Sequence, residues 1–224
     1  MNVMIVLAID TATDCCAACL YDAENSQLLS EQTLDIGRGH AEHLLSTIDN
    51  VFATAKLSFD EIDKIAVSIG PGSFTGIRVG VATARGLGLA LDKPTVGVST
   101  LEAVAVDFAS KSPFAVAIQA GRGQAYIQRF DAGGGPQDKP FIVKLDNNPG
   151  SQIEQIYSTL IGNAAELIDE ARATALLDRA TGSIENIALL GATSNTQPNP
   201  LYIRQADAKI AQGFALPRQS EVAK

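Results

Sequence analysis

Apolar positions along the chain change period several times, and each change marks an element. "VMIVLAID" near the start is a continuous apolar run, the signature of a strand buried on both faces. After "TATD", the stretches "CCAACLYD" and "QLLSEQTL" predict two more strands, so the chain opens as a β-meander. Residues 40–55, "HAEHLLSTIDNVFATA", switch to helical period. Ala41, Leu44, Leu45, Ile48, Val51, Phe52 and Ala55 fall on one arc of about 120°. Ser58 with Glu61 three places later is a capping box for a short helical turn. "KIAVSI" predicts a buried strand, followed by a glycine-proline turn and a helix to about Leu91. "KPTVGVS" and "TLEAVAVDFAS" add a strand and a helix. The order β-β-β-α-β-α-β-α is that of a layered α/β domain.

Near Lys111 the pattern restarts. "PFAVAIQA", "QAYIQRFD" and "FIVKL" predict strands. "SQIEQIYSTL" and "NAAELIDEARATALLDRA" are expected to be mostly helical, with a short strand at "TLIG" between them. "SIENIALLGA" predicts a last apolar helix, and "PNPLYIRQADAK" an extended end. Two domains are therefore expected, 1–108 and 109–224, without a residue-level internal repeat.

With 224 residues, 46% hydrophobic and 19% charged, the balance is that of a globular protein. Disorder is expected only in the tail after Gly213. The net charge of −8 argues against a stand-alone nucleic-acid binder, because such affinity comes from Lys and Arg neutralising phosphates. The N-terminus lacks the basic start and cleavage site of a signal peptide. No apolar run approaches the ~18 residues of a membrane helix. The expectation is a cytoplasmic protein. Cys15, Cys16 and Cys19 are odd in number and confined to one strand, which excludes a disulfide framework. No Cys or His pair follows to complete a zinc site, so they read as small buried strand residues.

The segment "AVSIGPGSFTGIRVGVATARGLGLAL" carries the strongest signal. Gly70-Pro71-Gly72 forms a tight turn and Ser73 is a natural N-cap. Exposed amides at such a helix start can hold an anion. The spacing fits neither a P-loop, which needs G-x-x-x-x-G-K-[ST], nor a dinucleotide fingerprint, being one residue too long for G-x-G-x-x-G. Along the helix, Gly76, Gly80, Ala84, Leu87 and Leu91 share a face smooth enough for close backbone approach. Ile77 and Val81 flank it, and Arg78 and Arg85 form a polar stripe. That face suits either a subunit contact or a central position within this one chain. Arg78 near the helix N-terminus opposes the macrodipole and needs a partner.

Candidate catalytic groups are sparse. His40 and His43 are spaced i, i+3 without a third histidine, short of a zincin pattern. Ser73 would need a base beside it to act as a nucleophile, and His40 is the one to check. Asp10 ends the first strand, where an α/β site keeps a carboxylate, or simply forms the turn before Thr11.

"LAIDTAT", "GPGSFTGIRVGVATARGLGLAL", "VGVSTLEAVA" and the terminal "PLYIRQADAK" closely resemble the bacterial TsaB (YeaZ) family. The resemblance implies a two-domain actin-like fold of the sugar kinase and Hsp70 ATPase (ribonuclease H-like) class. It also implies a role in making threonylcarbamoyladenosine beside the anticodon of tRNAs that read A-starting codons. In that family TsaB is a non-catalytic subunit that supports the transferase TsaD, joined by the ATPase TsaE. It further implies a partner surface on the glycine-turn helix and the amphipathic helix before it, here Leu44, Ile48, Gly76, Ile77, Arg78, Gly80, Ala84 and Leu87. No cofactor of its own, no metal and no catalytic residue are implied; ATP or ADP would sit at the interface of the complex. Contact with tRNA would pass through the complex, and a homodimer would form when the chain is alone. TsaD-like proteins carry V-N-H-x-E-G-H, whose two histidines hold a metal. This chain has Thr100 and Val104 at those places in Val98-Ser99-Thr100-Leu101-Glu102-Ala103-Val104. Where many family members read D-A-R-x-G-E-V-Y, it has Gln119-Ala120-Gly121-Arg122-Gly123-Gln124-Ala125-Tyr126, with glutamines for two acids. The alternatives from other classes are a kinase-like ATPase and a peptidase acting on TsaD. The first needs glycine-rich phosphate hairpins, and "DTATDCCAAC" has no glycine.

Overall fold

The computed structural model describes residues 3–108, 112–145, 159–169, 173–175 and 180–203. The meander forms as the patterning predicts: β1 (Ile5–Asp10), β2 (Cys15–Asp22) and β3 (Gln27–Asp35). Helix α1 (His40–Ala55) follows, then a 3₁₀ turn at Phe59–Glu61. The predicted capping box is present, with Ser58 N donating to Glu61 Oε2 at 2.7 Å. Strand β4 (Lys64–Gly70), helix α2 (Phe74–Leu91), strand β5 (Thr95–Ser99) and helix α3 (Thr100–Val106) complete the first half. The sheet order is β3-β2-β1-β4-β5, antiparallel on the β2 side and parallel on the β4 side.

The second sheet repeats this topology. Strands β6 (Phe114–Gln119), β7 (Gln124–Phe130), β8 (Phe141–Lys144), β9 (Leu160–Ile161) and β10 (Ala173–Ala175) are ordered β10-β9-β6-β7-β8. Again the first three are antiparallel neighbours and the rest add in parallel. The restart in the sequence is thus a restart in architecture, carried by alternation rather than by residue identity.

Two expectations need correction. Among its described residues, the run 163–180 holds a short helix, α4 (Ala165–Ile168), and then the strand β10, where helix was expected. Ala173 pairs with Leu160 at the open edge of β9, so the parallel ladder takes residues whose propensity alone favours helix. The last apolar helix, α5 (Ile184–Thr193), forms as expected but does not stay with the second sheet. Its Ile184, Ile187 and Ala188 pack with Val6, Ala8, Cys19 and Val98 on the first sheet. Lys64 Nζ donates to the carbonyls of Ala192 and Ser194, at 2.9 and 2.7 Å, capping the C-terminus of α5. The helix expected over 151–158 and the tail after Gly213 lie outside the described residues.

The first sheet is therefore a three-layer sandwich. Ile5, Leu7 and Ile9 face α1 and α2 on one side, while Val6 and Ala8 face α5 on the other. Both faces being covered explains why β1 reads as an unbroken apolar run. Helix α3 lies between the two sheets: Ala103 belongs to the first core and Leu101, Val104 and Ala105 to the second. Asn186 Nδ2 locks α5 to α3 by donating to Ala103 O at 2.9 Å and Asp107 Oδ1 at 2.8 Å. Among the described residues no helix is long and apolar enough to cross a membrane.

Alternation along β2 puts Cys16 in the core beneath α1 and Cys19 in the core beneath α5. The two thiols face opposite sides of the sheet and cannot share a metal. Burial pushes both thiol pKa values up. Iodoacetamide on the native chain at neutral pH is expected to modify no cysteine other than Cys15. Cys16 and Cys19 should react only after unfolding, as peptide mass mapping before and after denaturant would show.

Candidate functional site

The glycine turn is seated on the end of β1. Ser73 N donates to Ala12 O at 2.6 Å, and Thr11 Oγ1 donates to Gly76 O at 2.7 Å. A Cβ at Gly72 would overlap the Ala12 carbonyl oxygen, and one at Gly76 the Thr11 carbonyl oxygen. A Cβ at Gly80 would run into Thr11 Oγ1. Ala84 is fully buried in the same core. The smooth strip along α2 thus faces this chain's own strand, one of the two positions its pattern allows. Ser73 Oγ accepts from Gly76 N at 3.2 Å as an N-cap. Two amides that a bound phosphate would use are therefore already spent inside the turn.

The eight residues placed on a partner surface divide accordingly. Leu44, Ile48, Gly76, Ile77, Gly80 and Ala84 are buried within the chain. Leu87 is half-buried against the same core. Only Arg78 is exposed. The correction has a simple cause: α1 and α2 must cover the first sheet, and their most regular apolar rows do so. What remains outside is a second row on α2, Ala82, Gly86 and Ala90, at i, i+4, i+8 and exposed throughout. Gly86 has open space around it. Beside this row Leu89 is 87% exposed, and Leu45 on α1 is 59% exposed. The signal was in the sequence, as a run of small residues about 120° round the helix from Gly76 and Gly80.

Arg78 finds its partner within the chain. Its guanidinium lies 3.7 Å from the centroid of the Phe74 ring, and Nε donates to the Tyr202 hydroxyl at 2.9 Å. Stacking offsets the unfavourable placement near a helix N-terminus. Arg85 likewise donates to Asn199 Oδ1, so the segment after α5 is strapped along α2. Leu201 N adds a bond to Ile69 O at 2.8 Å.

The positions with catalytic precedent are filled differently. Asp10 is 2% exposed. Its Oδ1 accepts from Ala12 N at 2.8 Å and from Ser68 Oγ, and its Oδ2 from Thr181 Oγ1 at 2.8 Å. The carboxylate is thereby tied into a structural brace between β1, β4 and the approach to α5. Val104, where a metal histidine stands in TsaD-like sequences, packs with Phe114, Ile118 and Phe130. Thr100 is fully buried as well. His40 Nε2 lies 2.8 Å from Thr13 O and ties α1 to the β1–β2 turn, while His43 is exposed. Ser73 and His40 thus have separate partners, and no nucleophile–base bond is formed between them.

A cleft of about 440 Å³ runs between the sheets, with Thr13, Asp14 and Ser73 on one wall and Gln119, Tyr126 and Asn163 on the other. Gln119 N and Nε2 donate to Asn163 Oδ1 and Asn163 O, at 2.9 and 3.2 Å. An ionised acid could not make the second bond, so glutamine at this place serves the local backbone.

The family model described as "TsaD: tRNA N6-adenosine threonylcarbamoyltransferase" matches residues 28–141. The chain is 37% identical over 102 residues to the tRNA threonylcarbamoyladenosine biosynthesis protein TsaB of Escherichia coli. That match covers 46% of this chain and 43% of the relative. With TsaB of Buchnera aphidicola (Acyrthosiphon pisum) it is 33% identical over 129 residues, 56% of this chain and 57% of the relative. The chain thus spans about half the length of the curated relatives it matches. Among solved structures it is similar to a Pseudomonas aeruginosa protein described as having similarity to peptidase YEAZ. The TM-score is 0.74 at 22% identity, over 90% of this chain and all of the other. A structure titled YeaZ from the same organism gives 0.71 at 21%, over 89% of this chain and 99% of that one. With the strand order above, these likenesses show a mixed α/β fold with two sheets, that of the YeaZ structures.

One substitution made at two glycines of α2 separates the inner row from the outer. Gly76→Ala is expected to cost about 3 kcal/mol or more, because the new methyl meets rigid backbone. Gly86→Ala, in open space on the exposed face, is expected to stabilise by about 0.5–1 kcal/mol. Urea unfolding of the two variants reads both signs.

Proposed function

The chain belongs to the bacterial TsaB (YeaZ) family, and from that premise we propose that it is a non-catalytic subunit of tRNA threonylcarbamoyladenosine synthesis. It pairs with a TsaD-type transferase through the outer face of α1 and α2, and so supports modification of the adenosine beside the anticodon. The observation that carries this reading is the contrast between the two kinds of site. Where a transferase would hold its metal, Thr100 and Val104 are packed into the protein interior. Where a subunit would dock, the second small-residue row lies open beside Leu89, and Leu45 is exposed on α1. Small residues admit a partner helix closely, and the two exposed leucines supply apolar area to cover.

The net charge of −8 fits a division of labour in which the partner supplies the basic surface for tRNA. On this reading the chain carries no cofactor of its own. ATP or ADP belongs to the joint with the transferase, where the TsaE ATPase would also engage. The same outer face would serve a homodimer when the transferase is absent, in competition with it.

Co-expression with the cognate TsaD-type protein tests the proposal. The wild-type chain is expected to co-elute with it in gel filtration. Leu89→Glu and Gly86→Trp should each weaken that association by about tenfold or more, some 1.4 kcal/mol. Both should keep the thermal midpoint of the parent, since neither position is in the core. Cells carrying either variant as their sole copy should show less threonylcarbamoyladenosine in digested tRNA. Unchanged association and unchanged nucleoside in both folded variants would overturn the proposal.

A further inference from the structure

All the charge on α2 is positive: its charged side chains are Arg78 and Arg85, and both are exposed. Seven residues separate them, which is two turns or about 10.5 Å along the axis. With Ala82 and Leu89 they form one stripe at i, i+4, i+7 and i+11. The two cations therefore border the outer small-residue face rather than stand apart from it.

Both guanidinium groups are held in place by neutral partners. Arg78 stacks on Phe74 and donates through Nε to the Tyr202 hydroxyl, and Arg85 donates to Asn199 Oδ1. Among the described residues neither arginine meets a carboxylate. Acids are not scarce, with 25 against 17 basic residues in the chain. An arginine has five N–H donors in a planar fork. The bond to Tyr202 uses the Nε donor of Arg78 and leaves its terminal amino groups open. A fork already fixed in direction loses little side-chain freedom when an anion arrives.

The setting decides which anion. A nucleic-acid backbone would offer phosphates but nothing to cover Leu89, and the net charge of −8 repels a polyanion. A protein surface offers both halves of the match, carboxylates for the two forks and apolar side chains for Ala82 and Leu89 between and beyond them. Resting on the pairing with a TsaD-type transferase set out above, we propose that the transferase presents two carboxylates about 10 Å apart that pair with Arg78 and Arg85. Tyr202 and Asn199 are positioning residues, which aim the forks without touching the partner's acids. These acids are local to the docking surface and separate from the basic surface that meets tRNA.

Calorimetric titration of the full chain with its cognate transferase, without nucleotide, tests the pairing at 50 and 300 mM NaCl. The wild-type affinity is expected to fall about tenfold over that range. Arg78→Gln and Arg85→Gln should each weaken binding about tenfold at the lower salt, and the double variant should lose most of the salt dependence. Tyr202→Phe, which keeps the ring but not the hydroxyl, should weaken binding severalfold at an unchanged thermal midpoint. Leu89→Glu separates this inference from the reading beneath it. If Leu89→Glu abolishes binding while the arginine variants match wild type in affinity and salt dependence, the docking face stands and the carboxylate pairing is overturned. If Leu89→Glu also binds as wild type, both are overturned. An effect of the arginine variants seen only when ATP or ADP is added would assign the anion to a nucleotide phosphate and overturn the pairing as well. Should the double variant lose its thermal transition, Arg85→Gln alone decides, since Arg78 and Tyr202 are intact in it.

Discussion

The close seating of α2 on the end of β1 is the constraint on which the rest of the first half depends. Thr11 and Ala12 present two carbonyl oxygens and a hydroxyl to a helix that has no side chains in the way at positions 72, 76 and 80. Helix and strand approach until backbone meets backbone, and the Thr11–Gly76 and Ser73–Ala12 hydrogen bonds close the gap. The glycines weaken the helix as a helix, at about 1 kcal/mol each relative to alanine. They are tolerated because tertiary contact, not propensity, holds it in place. Once α2 is fixed, its far side is fixed too, and Ala82, Gly86, Leu89 and Ala90 are left pointing outward.

A comparable constraint governs α3. A helix lying between two sheets must contribute apolar side chains to both, and α3 does so through Ala103 on one side and Leu101, Val104 and Ala105 on the other. An imidazole at position 104 would need a metal or a hydrogen-bond partner in a place now surrounded by Phe114, Ile118 and Phe130. Asp10 is treated in a comparable way. Three donors surround it, and through them it braces β1, β4 and the approach to α5.

Much of this was legible in the sequence, and what was not has physical reasons. The unbroken apolar run of β1, the arc on α1 and the Ser58–Glu61 box are local signals, and the structure realises each of them. The direction of the glycine row on α2 was not legible. Periodicity shows that Gly76, Gly80 and Ala84 share a face, but whether that face meets a strand or another molecule depends on which other surfaces need covering. Residues 173–175 form a strand against their local signal, because an alanine-rich stretch favours helix until a parallel edge is offered to it. Arg78 and Tyr202, like Arg85 and Asn199, lie far apart in sequence, and no spacing rule joins them. The return of α5 to the first sheet was hidden for the same reason, since an apolar helix does not say which apolar face it will cover.

That return has a consequence for biosynthesis. One face of the first sheet is roofed by a helix encoded after residue 183, and Lys64 waits for carbonyls that lie 128 and 130 positions downstream. As the ribosome delivers the chain from its N-terminal end, the meander and α1 emerge early, but Val6, Ala8 and Cys19 stay uncovered until nearly the last described segment has cleared the exit tunnel. The two halves therefore cannot mature one after the other like beads. The nascent polypeptide carries an open greasy surface until α5 emerges, and the first lobe is finished only after the strands of the second have been made.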